Sequence, residues 1–170
     1  MKHSNILPLL GATLSPPQLV SSWMDGNLPE YIRKHSDADR LGLVGGLLLC
    51  LPHAYSRRQL SDVANGLCYL HSCNVIHGDL KGVRNRSKSR FATALTPGQP
   101  NIFMDDSGHA RIADFGLAML THNPDSIQSA TLQQGYTPRW AAPEVLSKGT
   151  YGKEADIFSF AMVMIEVCHR

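Results

Sequence analysis

Residues 75–81 read Val-Ile-His-Gly-Asp-Leu-Lys, two β-branched residues followed by a polar segment with a glycine, a carboxylate and a lysine. This pattern predicts a short buried strand that runs into a loop. Phosphoryl transfer to a hydroxyl needs a carboxylate near the attacking oxygen, divalent metal and rigid positioning. Asp79 is therefore a candidate catalytic carboxylate.

Two further oxygen donors follow Asp79 along the chain. The stretches 101–104 and 109–112 predict a hairpin, with residues 105–108 as its turn. Asn101 opens this hairpin, and Asp114 follows it directly. An amide oxygen and a carboxylate are ligands that Mg²⁺ prefers in proteins. The order Asp, Asn, Asp can therefore supply one base and two metal ligands.

Four motifs in this order resemble those of protein kinases. The segment HGDLK followed by an Asn resembles the catalytic loop H-R-D-L-x-x-x-N, and ADFG at 113–116 resembles the metal-binding D-F-G. TPRWAAPE at 137–144 resembles the A-P-E segment, and DIFSFA at 156–161 resembles the central helix of the large lobe. The match is closest to the tyrosine-kinase-like group, whose members are mostly serine/threonine kinases.

The resemblance implies an α+β, protein kinase-like fold in truncated form. Residues 1–27 correspond to the last small-lobe strands and the hinge, and residues 28–170 to the large lobe through its central buried helix. No glycine-rich phosphate loop precedes these strands in the 170 residues. We therefore expect the chain as given to be inactive on its own, although its family is enzymatic.

The resemblance also implies roles for individual residues, with ATP and Mg²⁺ as cofactors and a protein Ser or Thr as acceptor. The implied roles are these: catalytic base, Asp79; lysine that steadies the γ-phosphate, Lys81; hydroxyl that bridges base and lysine, Thr137; metal ligands, Asn101 and Asp114; hinge residues that meet adenine through the backbone, Met24 and Asp25. His77 and Asp156 are expected to be structural, with Asp156 binding the backbone of the catalytic loop. Gly78 departs from the family, which usually has Arg there.

Two other functions are compatible with part of this pattern. Small-molecule phosphotransferases of the aminoglycoside or choline kinase type also use H-G-D with a following Asn, but they lack a segment like TPRWAAPE. A non-catalytic pseudokinase or docking module is favoured by the missing phosphate loop. A nucleotide-binding assay with Mg²⁺ separates the pseudokinase interpretation from that of an active protein kinase.

Composition excludes two classes of partner. The net charge is +2, and no long Lys/Arg cluster indicates nucleic-acid binding. The apolar run 41–51 is shorter than the roughly 20 residues that cross a bilayer. We expect a soluble, cytoplasmic protein with no membrane association; the sequence leaves its oligomeric state open.

Helical and strand patterns fill most of the rest. Strands are predicted over 5–14 and 18–23, and a helix over 28–35 with Asn27 as its cap. Residues 60–70 have helical periodicity, and 121–134 predict a mobile loop. The last helix, 154–168, is apolar on nearly every face, which is typical of a helix buried all round. Without later helices, we expect four of its side chains to form an exposed apolar patch: Ile157, Phe158, Met162 and Ile165.

Two segments, 44–59 and 83–99, interrupt this organisation. The first breaks a helix, and we expect this segment either to kink the helix at Pro52 or to loop out of it. The second places Asp79 and Asn101 22 residues apart, where the kinase pattern has five. Both begin with Val, whose codons start with GT, and end with Gln, which CAG encodes, so both are predicted to be retained introns. The alternative is a pair of genuine loop insertions. An insertion at the second place is expected to be disordered and to displace Asn101.

Overall fold

The computed structural model describes residues 2–24, 26–34, 54–82, 100–115, 118–120 and 137–168. In chain order its elements are as follows: β1 (Leu9–Leu14), β2 (Pro17–Ser21), β3 (Gly26–Asn27), α1 (Leu28–Lys34), α2 (Ala54–Ser72), β4 (Val75–Ile76), β5 (Ile102–Met104), β6 (Ala110–Ile112), β7 (Met119–Leu120), α3 (Pro143–Lys148) and α4 (Lys153–Cys168). The architecture is mixed α+β, as expected. The segment 83–99, the predicted loop over 121–134 and the predicted kink at Pro52 lie outside the described residues.

The two N-terminal strands pair with each other, but the first begins later than predicted. Strands β1 and β2 form an antiparallel hairpin that closes with Leu14 opposite Pro17. Residues 5–7 lie instead along β6. The N–H of Leu7 donates to the carbonyl of Ile112 at 2.8 Å, and the N–H of Ile112 donates to the carbonyl of Asn5 at 2.9 Å. This stretch therefore fixes the N-terminal hairpin to the sheet that leads into the candidate site.

Helix α1 begins as the sequence predicts. The side-chain oxygen of Asn27 accepts a hydrogen bond from the N–H of Glu30 at 3.1 Å. This contact satisfies one of the free N–H groups in the first turn. The predicted cap is thus confirmed.

Helix α2 forms the centre of the core. Its buried face carries Leu60, Val63, Leu67 and Leu70 at the predicted helical spacing. The helix begins at Ala54, so the last six residues of the segment 44–59 form its start. The predicted break therefore does not fall within 54–59.

A three-stranded sheet in the order β3-β5-β6 packs against α2. The β5–β6 hairpin is confirmed, with Ile102 opposite Ile112. Its turn is closed by the N–H of Gly108, which donates to the carbonyl of Asp105 at 2.9 Å. Gly108 has a φ of 75°, a conformation that glycine adopts without steric cost. Since β5 starts directly after Asn101, this sheet positions that residue.

Helix α4 is buried on one side only, so the prediction of burial all round is wrong. Val163 and Val167 lie in the core, whereas Ile157 is 54% and Ile165 is 49% exposed. Phe158 is also exposed, and Met162 is partly buried. The expected apolar patch is confirmed for Ile157, Phe158 and Ile165, and its tendency to aggregate stays a prediction. No helix within the described ranges is long and apolar enough to span a membrane.

Candidate active site

The loop 77–82 is held at its start by a short strand pair. Val75 and Ile76 of β4 lie opposite Leu120 and Met119 of β7. His77 follows, fully buried, and its Nε2 lies 2.9 Å from the carbonyl oxygen of Ala113. This histidine is structural, as expected, because its ring fills the core and bridges two backbone segments.

A buried carboxylate from α4 fixes the same loop. Asp156 accepts hydrogen bonds from the N–H groups of His77 at 2.8 Å and Gly78 at 2.9 Å. Its Oδ2 is also 2.8 Å from Nε2 of His71, at the end of α2. The predicted contact of Asp156 with the loop backbone is present. Gly78 has a φ of 80°, so the backbone turns sharply just before Asp79.

Three of the predicted site residues form one hydrogen-bonded group. The hydroxyl of Thr137 donates to Oδ1 of Asp79 at 2.9 Å, and Nζ of Lys81 donates to the Thr137 oxygen at 3.1 Å. Lys81 also forms an ion pair with Oδ2 of Asp79. Both charged side chains are mostly buried, at 8% and 12% exposure. Burial strengthens this pairing, because less water screens the charges.

Asn101 joins the same loop in spite of its distance along the sequence. Its Oδ1 accepts from the N–H of Lys81 at 2.8 Å, and its Nδ2 donates to the carbonyl of Asp79. The side chain is fully buried. The expectation that an insertion at 83–99 displaces this residue is therefore wrong. A 17-residue excursion can leave and return to the same place at modest entropic cost.

Asp114 lies beyond the end of β6 with its side chain exposed. The N–H of its neighbour Ala113 donates a hydrogen bond to the carbonyl of Asn101 at 2.8 Å. This bond ties the backbone next to Asp114 to the backbone of Asn101, the other candidate ligand. Asp114 has a φ of 61°, an uncommon conformation that Asp and Asn tolerate best. Backbone strain of this kind is found preferentially at functional sites.

The donor set fits a hard divalent cation. The amide oxygen of Asn101 has two lone pairs, and Lys81 occupies one of them. The carboxylate of Asp114 is accessible to solvent. Oxygen donors of this kind are the ligands of Mg²⁺. These two residues could therefore hold the ion that the sequence predicts.

The predicted hinge is placed only in part. Met24 lies between β2 and β3, and Gly26 of β3 is opposite Met104 of β5. The end of the predicted hinge is thus joined to the strand that starts after Asn101. Asp25 and Gly116 lie outside the described residues. The catalytic and binding roles of all these residues stay predictions.

The sequence did not indicate the wall of the small cleft beside Asp79. Trp140, Val145 and Tyr151 line it together with Asp79 and Thr137. The hydroxyl of Ser159 donates to the carbonyl of Trp140 at 2.7 Å and fixes this wall to α4. A signal was available, because Ser159 lies three residues after Asp156 and so shares its helix face.

Two protein-family models match the chain. The model described as protein tyrosine and serine/threonine kinase matches residues 1–86, and the model described as protein kinase domain matches residues 99–170. Residues 87–98 lie between the two matches.

Curated relatives match nearly the whole chain. Serine/threonine-protein kinase STY46 of Arabidopsis thaliana is 28% identical, over 98% of this chain and 24% of its own length. A putative serine/threonine-protein kinase/receptor of Acanthamoeba polyphaga mimivirus is 31% identical, over 98% of this chain and 8% of its own. The probable serine/threonine-protein kinase drkC of Dictyostelium discoideum is 30% identical, over all of this chain and 19% of its own. The chain thus spans about a quarter or less of these relatives.

Proposed function

Because this chain belongs to the protein kinase family, we propose that it is part of a serine/threonine protein kinase that transfers the γ-phosphoryl group of ATP to a protein hydroxyl. One observation carries the proposal. Asp79, Lys81, Asn101 and Thr137 come from positions up to 58 residues apart and converge on a single loop. That arrangement suits positioning and charge neutralisation, which are the main demands of phosphoryl transfer.

Asp79 acts as the base. A carboxylate accepts about four hydrogen bonds, and Thr137 and Lys81 occupy one position on each oxygen of Asp79. The remaining lone pairs can accept the proton of the acceptor hydroxyl as its oxygen attacks phosphorus. Thr137 and Lys81 keep the carboxylate in one orientation while this proton moves.

Lys81 supplies positive charge next to the reacting groups. Its ammonium group lies between Asp79 and Thr137, in a setting where water is largely excluded. A fixed cation in such a setting stabilises developing negative charge more strongly than it would in bulk water. The combination of this lysine with Thr137 supports Ser or Thr as the acceptor rather than Tyr.

Asn101 and Asp114 would hold Mg²⁺, which neutralises phosphate charge when it is bound. Met24 and Asp25 would meet the adenine through backbone groups. We place the protein in the cytoplasm, with protein substrates and without nucleic-acid partners, in agreement with its net charge of +2.

The test uses the full-length natural protein that contains this chain, assayed with ATP, Mg²⁺ and matched Ser, Thr and Tyr peptides. We expect Asp79→Ala to lower kcat by about 100-fold or more, with little change in nucleotide affinity. Asp114→Ala should abolish Mg²⁺-dependent turnover and weaken Mg²⁺-dependent nucleotide binding. Asp106→Ala removes an exposed carboxylate from the hairpin turn and should leave activity unchanged.

Three other results would contradict this proposal or part of it. Nucleotide binding without turnover indicates a pseudokinase or docking module. Phosphorylation of a small alcohol in preference to peptides indicates a small-molecule phosphotransferase. If Asp79→Ala keeps more than about a tenth of the rate, Asp79 is not the base.

A further inference from the structure

None of the candidate site residues falls within either of two segments of the chain, and we propose that both segments are intron-encoded and absent from the working form of the protein. They are Val44–Gln59 and Val83–Gln99, of 16 and 17 residues, and their removal leaves a chain of 137. The inference rests on contacts at the borders of these segments and on the spacing of the catalytic loop. It does not depend on whether the protein is an active kinase.

The borders of the second segment already meet in space. The N–H of Asn101 donates to the carbonyl of Lys81 at 3.4 Å, and Oδ1 of Asn101 accepts from the N–H of Lys81 at 2.8 Å. Without residues 83–99, Lys81, Gly82, Pro100 and Asn101 are consecutive. The bond from Asn101 to Lys81 is then the one from residue i+3 to residue i that closes a four-residue turn.

Removal of the second segment therefore needs no movement of the metal-ligand candidate. The same deletion changes the separation of Asp79 and Asn101 from 22 residues to the five of the kinase pattern. A long loop insertion costs little conformational entropy in general, so the contacts of Asn101 can form with or without residues 83–99.

The first segment leaves a defect inside the core. Position 59 belongs to the buried stripe of α2, four residues before Val63 and eight before Leu67. Gln59 occupies it and is 1% exposed. Its Nε2 donates to the carbonyl of Gly108 at 3.1 Å, but its Oε1 has no hydrogen-bond partner among the described residues. A buried acceptor without a partner lowers stability.

Deletion of Val44–Gln59 repairs this stripe. Leu43 then directly precedes Leu60 and takes the helical position of Gln59, so that the stripe becomes apolar throughout. The deletion also brings Asp39 into the first turn of the helix, where α2 now has no acidic residue. A carboxylate there interacts favourably with the helix dipole. An apolar residue at a buried position and a carboxylate in the first turn both stabilise an amphipathic helix.

The ends of the two segments agree with splice signals. Each begins with a valine, whose codons start with GT, and ends with a glutamine, which CAG encodes. Each has a whole number of codons, so retention leaves the reading frame intact. Genuine insertions carry no such constraint at both ends.

Genomic and mature transcript reads across both junctions test the proposal without any need for folded protein. We expect genomic bases GT and AG at the ends of each segment, and mature messages that lack both segments. Mature messages that contain both segments throughout would overturn it. Loss of one segment only would overturn the half that concerns the other.

Trypsin digestion of the natural protein gives a second readout. The form without the second segment yields Gly82 joined to Pro100–Arg111, whereas the form with it yields Phe91–Arg111. The form without the first segment yields Leu41–Leu43 joined to Leu60–Lys81, in place of Gln59–Lys81. Detection of only the longer-form peptides overturns the proposal.

A pair of deletions tests the helix register directly. One chain lacks Val44–Gln59, and its matched control lacks Val44–Arg58, which keeps Gln59 buried and moves Leu43 to an exposed position. We expect the first chain to have the higher Tm, by about 2–4 °C. The reverse order would overturn the register argument.

Discussion

Two loops of this protein are each held by a single carboxylate that accepts two backbone N–H groups. Asp156 accepts from His77 and Gly78 at 2.8 and 2.9 Å, and Asp105 accepts from two N–H groups of its own turn, 105–109, at 3.0 and 2.9 Å. The hydrogen bonds are nearly alike in number and length. The difference lies in where the carboxylate comes from and how much water reaches it.

Asp156 is 1% exposed and lies 78 and 79 residues after the groups that it binds. Asp105 lies two and four residues before its partners and is reached by solvent. Water can replace a lost acceptor at the surface, but it cannot do so in the core. The same hydrogen-bond pattern should therefore stabilise the loop of Asp79 much more than it stabilises the hairpin turn.

The largest effect is expected from Asp156→Ala. The change leaves a buried N–H group, a partly buried N–H group and His71 without this acceptor, so we expect the free energy of unfolding to fall by about 3 kcal/mol or more. Urea denaturation followed by circular dichroism measures it. Asp156→Asn keeps one acceptor oxygen and should give a smaller loss.

The exposed Asp106→Ala serves as control and should change stability by no more than about 0.5 kcal/mol. If Asp156→Ala lowers the free energy of unfolding less than Asp105→Ala does under the same conditions, the proposed difference between the two loops is wrong.

An intermediate effect is expected from Gly108→Ala in the hairpin turn. Gly108 has a φ of 75°, and an added Cβ would lie 2.6 Å from the hydroxyl oxygen of Tyr31. The backbone conformation alone costs roughly 1–2 kcal/mol for a residue with a Cβ. Tyr31 packs against the hydrophobic core and has to move to admit the Cβ, so we expect a total loss somewhat larger than this.

Gly11→Ala is the matched control for this change, because an added Cβ at Gly11 meets nothing within 4 Å. Thermal melting should show a lower Tm for Gly108→Ala and an unchanged or higher Tm for Gly11→Ala. Equal Tm values for the two variants would show that the turn tolerates a side chain, and that its conformation contributes little.

The smallest effect is expected from Asp105→Asn, and it should depend on pH. Partial burial tends to raise the pKa of Asp105. Hydrogen bonds from His109, Arg111 and Ser107, together with the charge of Arg111, outweigh this effect and bring the pKa below its ordinary value of 3.8. The folded-state pKa is thus below the unfolded one. The stability that the ionised group contributes is present above pH ~4 and is lost as pH falls through the folded pKa.

We expect Asp105→Asn to cost less than about 1 kcal/mol at neutral pH. Denaturation curves at a series of pH values should show this cost shrinking as the wild-type carboxyl becomes protonated. A cost that stays constant down to pH ~2 would mean that the charge of Asp105 is not what stabilises the turn.

Features that depend on near neighbours were predicted correctly. The cap at Asn27, the β5–β6 hairpin and the buried stripe of α2 each follow from residues within a few positions of one another. The family resemblance also predicted that Asp79, Lys81 and Thr137 come together. No spacing rule links Thr137 to Asp79 across 58 residues, so this contact came from the motif and not from the chain pattern.

Features that depend on packing between distant segments were missed or mistaken. The apolar composition of α4 indicated burial all round, yet only the side with Val163 faces the core, because burial depends on which elements lie opposite. The contribution of Trp140 to the cleft beside Asp79 was not foreseen for the same reason.

The sequence by itself determined the order of the motifs, the chemical types of the candidate ligands and the local turns, because each depends on covalent spacing and backbone preference. Only the tertiary structure decided that Asn101 reaches the loop of Asp79 from 22 residues away and that Asp156 holds that loop from 79 residues beyond its start. A hydrogen bond between distant residues forms only when the packing of α2, α4 and the β5–β6 hairpin brings donor and acceptor together. That packing is a property of all these elements at once.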